Sequence, residues 1–61
     1  MLEGKDKFLK VYSNLSMDIR KEVIVLIDKQ PISWIIAYEE IEKETDLGKK
    51  ILKNLIQSRF I

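Results

Sequence analysis

Apolar positions along the chain recur with two different periods. Phe8, Val11, Tyr12 and Leu15 fall at i, i+3, i+4 and i+7, which predicts an amphipathic helix over residues 5–14. Asn14 and Ser16 interrupt it. Ser16 suits an N-cap and Asp18 a first helical turn, so residues 17–22 predict a short second helix. Val23–Ile27 is a run of five aliphatics, four of them β-branched, and branched side chains favour the pleat of a buried strand. Asp28-Lys29-Gln30-Pro31 then reads as a turn, although it lacks the glycine of the tightest hairpins. Pro31 biases Gln30 towards an extended backbone, so Gln30–Ile32 is expected to return as an edge-like strand. Ser33 caps a helix that begins at Trp34 and places Trp34, Ala37, Tyr38 and Ile41 on one face. Thr45 ends that helix and caps the next. In the last helix Leu47, Ile51 and Leu55 form a stripe that continues to about Arg59. Residues 1–4 are expected to fray.

These elements define an α+β fold, a small helical domain with one short β-hairpin in the order α-β-β-α-α. Residues 1–61 form a single compact domain, with Trp34 and Tyr38 expected to anchor its core. Two alternatives stay open, because periodicity alone does not settle short apolar runs. Met17 to Lys29 can be one helix, giving an all-α four-helix arrangement. Gly48 can be a flexible point in one long bent helix running from Trp34 to the end.

Composition removes several kinds of chemistry. The chain has no cysteine and no histidine, which excludes disulfides, zinc fingers, iron–sulfur clusters, thiol nucleophiles and histidine-based acid–base catalysis. Glu40 and Glu44, spaced i,i+4, can approach one cation, but surface glutamates at this spacing are common and nothing supplies further ligands. The serines lack an activating base, and Gly4 and Gly48 do not build a phosphate-cradling loop. The expectation is a chain without catalytic residues, metal or cofactor. No apolar run is long enough for a membrane span and no secretory signal is visible, so a cytoplasmic location is expected. Ten isoleucines, nine lysines and six glutamates suit a thermophilic, archaeal source, and an AT-rich genome would give the same isoleucine and lysine excess.

The net charge of +1 conceals a separation. Residues 30–46 carry five acids against Lys43, a net of −4, whereas residues 47–61 carry four bases and no acid. Adjacent helices pairing with each other account for this, with Glu39–Lys43 and Asp46–Lys50 at i,i+4 spacing. The alternative is an acidic face and a basic face that meet different partners.

The apolar content, 46% of residues, is large for a chain near the lower size limit of independent folding. Both alternating faces of Val23–Ile27 are apolar, which normally requires cover on both sides. Ile36, Leu52, Ile56 and Phe60 make a second stripe beside the predicted core. That stripe is the expected interface of a small self-associating protein-interaction module, a homodimer or a complex with a protein partner.

A different function follows from the stretch Tyr38 to Ile61, where Ile41, Leu47, Leu52 and Ile56 are spaced as core positions and Ser33 precedes as a cap. This stretch resembles the helix-turn-helix of winged-helix regulators. The resemblance implies DNA binding by the basic C-terminal helix, with Lys49, Lys50, Lys53 and Asn54 on or beside a recognition helix. The chain departs from the pattern at Glu42, where a small residue is usual, and at Asp46, in place of the turn glycine.

Overall fold

The computed structural model describes residues 2–61. Its elements are α1 (Lys5–Ser13), α2 (Met17–Arg20), β1 (Val23–Ile27), β2 (Gln30–Ser33), α3 (Trp34–Glu42) and α4 (Asp46–Gln57). This is the α+β arrangement, and the all-α alternative is not realised.

Local chemistry explains the boundaries. The Ser16 hydroxyl accepts from the Ile19 N–H at 3.3 Å and Ser33 from that of Ile36 at 3.2 Å. Thr45 accepts from Gly48 N–H at 2.9 Å. Each satisfies an N–H that the first helical turn leaves without a partner. The hairpin closes through Asp28 and Lys29, with φ of 51° and 70°, which is a type I′ turn made without glycine. Asp tolerates the left-handed region through local hydrogen bonding, whereas Lys29 holds it at a steric cost. Pro31 is accommodated because each strand of a two-stranded sheet is an edge.

The pairing is antiparallel, with Val25 opposite Ile32, Leu26 opposite Pro31 and Ile27 opposite Gln30, and it is irregular between Val23 and Val25. The irregularity lets Ile24 and Val25 both pack against the core. Val23 and Leu26 are left exposed on the other side. β1 is therefore covered on one face, not the two that its composition called for.

Glu44, with φ of 54°, breaks the chain between α3 and α4, so the long bent helix does not form. Asp46, the position of the expected turn glycine, is instead the first residue of α4, where an acid suits the positive end of the helix dipole. Gly48 is not a flexible point. A Cβ there would overlap the carbonyl oxygen of Glu40, so its bare backbone is what allows α4 to lie against α3.

Phe8, Ile32, Ile41, Ile51 and Leu55 are the largest fully buried side chains. Trp34 is buried with them, while Tyr38 is only half-buried and stacks on Tyr12 with centroids 4.4 Å apart. All five aromatic residues belong to one run of ring contacts, Phe60 to Trp34 to Phe8 to Tyr12 to Tyr38. Residues 2–4 make a turn closed by Lys5 N–H to the Leu2 carbonyl at 3.1 Å, and Leu2 packs against the core. Met1 lies outside the described residues. No helix among the described residues is long and apolar enough to cross a membrane.

Candidate nucleic-acid interface

α4 has a buried face and a polar outer face. Gly48, Ile51, Leu52 and Leu55 are buried. Lys49, Lys50, Lys53, Asn54 and Gln57 are exposed. No acidic residue lies between Leu47 and Gln57, so from Lys49 to Gln57 the outer face is a basic and amide-bearing strip about 12 Å long. Asn54 donates through Nδ2 to the Lys50 carbonyl at 3.2 Å, and Lys50 Nζ stands 3.6 Å from Asp28 Oδ2.

The segment that aims α4 is held from outside its own helix pair. Lys5 donates to Glu44 Oε2 at 2.8 Å and to the Glu42 carbonyl at 3.2 Å, tying α1 to the turn between α3 and α4. The hydrogen bond from Lys5 holds the Glu44 carboxyl below its ordinary pKa, and the same bond raises that of Lys5. Thr45 Oγ1 donates to the Glu40 carboxylate while its own oxygen caps α4.

These bonds engage both carboxylates of the Glu40–Glu44 pair with protein partners. Among the described residues no group of three or more acids could hold a metal ion. The ion pairs there are Lys5–Glu44 and Lys50–Asp28, so the expected pairs Glu39–Lys43 and Asp46–Lys50 are not made. Those four side chains are exposed, where an i,i+4 attraction of tenths of a kcal/mol does not fix a rotamer.

The predicted interface stripe is broken up. Leu52 is only 2% exposed and belongs to the core, which corrects its placement on an outer surface. Ile36 is 37%, Ile56 39% and Phe60 50% exposed. Phe60 leans on Trp34 with centroids 5.5 Å apart, and Ile56 lies against Gly4, where a Cβ would overlap its side chain. The N-terminal turn thus covers part of the surface that the stripe was expected to offer. Of the positions spaced like a helix-turn-helix core, Ile41 and Leu52 are buried, Leu47 is half-buried and Ile56 is exposed. By contrast Lys49, Lys50, Lys53 and Asn54 all share the exposed face of one helix.

Arg20 is a structural residue that sequence reading passed over. Its guanidinium lies 4.4 Å from the Tyr12 ring centroid and donates to the Tyr12 carbonyl at 3.2 Å. The only sequence sign was a basic residue closing a short helix.

No protein-family model, curated protein or solved structure matches the chain.

Proposed function

We propose that this chain is a small duplex-DNA-binding domain that presents α4 to the major groove from a helix-turn-helix formed with α3. The observation that carries the reading is the outer face of α4 beyond its first turn, where Lys49, Lys50, Lys53 and Asn54 are exposed together and the one acid of the helix, Asp46, stands at its start. A major groove about 12 Å wide admits a helix, lysines neutralise phosphates, and an asparagine amide can pair with adenine. The near-zero net charge supplies little long-range attraction, so contact depends on this local strip.

Fluorescence anisotropy on a labelled duplex tests it. Binding is expected at low salt, weakening with a slope of log K against log salt of about −2 to −3, for the two or three phosphates that three lysines neutralise. Lys49→Glu combined with Lys53→Glu should abolish it. Absence of binding at low salt, or a double variant that binds as well as the parent, overturns the reading. So does equal affinity for duplex RNA, whose deep and narrow major groove excludes a helix.

A second reading, self-association, rests on other residues. Val23 is 59% and Leu26 64% exposed, and Pro31, opposite Leu26, is also exposed. A hairpin face of this composition is ordinarily covered. Association through it would replace the stripe centred on Leu52.

A further inference from the structure

The end of β1 and the hairpin turn stand beside α4, and a shallow groove runs between them. Leu26, Ile27 and Asp28 line one wall, while Lys50, Lys53, Asn54 and Gln57 line the other. Three features make this groove more than a gap between elements. Four of its seven lining residues are cations or amides on the face of α4 already described. Its one acid, Asp28, reaches across to Lys50 Nζ at 3.6 Å. Asp28 is also held at that spot by the backbone, because it occupies the first left-handed position of the type I′ turn.

We propose that the hairpin turn is part of the DNA contact. The groove seats one phosphodiester strand beside α4, and the Asp28 carboxylate occupies Lys50 in the free protein, as a phosphate does in the complex. This rests on the reading of α4 as the DNA-contacting helix. A phosphate entering the groove displaces Asp28 from Lys50 and then faces its charge, so the carboxylate weakens binding and Lys50 is gained only by exchange. The released carboxylate takes up a cation from solution, and binding therefore frees one counterion fewer than the lysine count implies.

Asp28→Asn isolates the effect, because asparagine suits the left-handed turn position at least as well as aspartate and the hairpin is retained. Asp18→Asn on α2, which makes the same charge change outside the groove, is the control. Anisotropy titrations on the same duplex are run across a salt series. The expected result is about three-fold tighter binding by Asp28→Asn at low salt, in keeping with the modest strength of exposed pairs. A salt slope steeper by about one should accompany it, with neither change in Asp18→Asn.

If the parent binds and Lys49→Glu with Lys53→Glu does not, yet Asp28→Asn matches the parent or Asp18→Asn, the groove proposal is overturned and the role of α4 stands. If neither the parent nor Asp28→Asn binds at low salt, both are overturned.

Discussion

Two opposing effects meet at Gly48. Inside a helix, glycine is about 1 kcal/mol less favourable than alanine, and by that measure alone replacement should stabilise α4. The neighbouring atom decides otherwise. A Cβ would overlap the Glu40 carbonyl oxygen, which belongs to the α3 backbone and does not rotate aside. Overpacking of this kind costs about 1–3 kcal/mol. Gly48→Ala is expected to lower the melting temperature by several degrees, since about 1 kcal/mol moves a domain of this size by about 4–8 °C. A melting temperature at or above the parent's would refute the close approach of the two helices. Lys29 is a milder case. Its left-handed backbone is strained, but its side chain is exposed, so nothing in the core adds to the cost.

Between elements, the bond from Lys5 on α1 to Glu44 controls how the turn before α4 is held. Its pH dependence has a definite sign at each end. The Glu44 pKa is lowered in the fold, so its contribution is present at neutral pH and is lost as pH falls below the ordinary carboxylate value of 4.5. The Lys5 pKa is raised, so its contribution is complete below 10.5 and is lost as pH climbs through the higher folded value. Thermal melts of the parent and of Glu44→Gln across pH should therefore differ most near neutrality and converge at both extremes. A gap of constant size would show that the pair does not stabilise the turn. The same bond accounts for part of the charge separation seen in sequence. Glu44 faces Lys5 and Glu40 faces Thr45, so two of the acids serve the turn and do not form an acidic docking face.

For the whole molecule, size and packing bear on association. The Cα radius of gyration is 10.4 Å, close to the roughly 10.5 Å of a compact domain of this length. A single copy thus buries Leu52. Met17, Phe60 and, on the outer face of the hairpin, Val23 and Leu26 stay at least half exposed. If that face joins two copies, sedimentation at micromolar concentration will show a dimer that Val23→Lys returns to monomer. A persistent 7.2 kDa species in the parent would end the association reading and leave the groove beside Leu26 open to DNA.

The sequence by itself determined the elements and their ends. A hydroxyl at Ser16, Ser33 or Thr45 bonds an N–H three residues away, and the branched run Val23–Ile27 disfavours helix through its own rotamers. Such effects act within a few residues, so they are legible in order along the chain. The candidate DNA contacts were legible for the same reason, because helical periodicity places four polar side chains away from an apolar stripe. The absence of cysteine and histidine excluded whole chemistries without reference to any fold. Only the tertiary structure decided which apolar residues are core. Leu52 looks like surface until the N-terminal turn is laid beside α4, and Gly48 looks weak until the Glu40 carbonyl is placed against it. Arg20 acquires its role through Tyr12, and Asp28 through Lys50. These partners are separated in sequence by 8 to more than 40 positions, and no local period encodes which of them will meet.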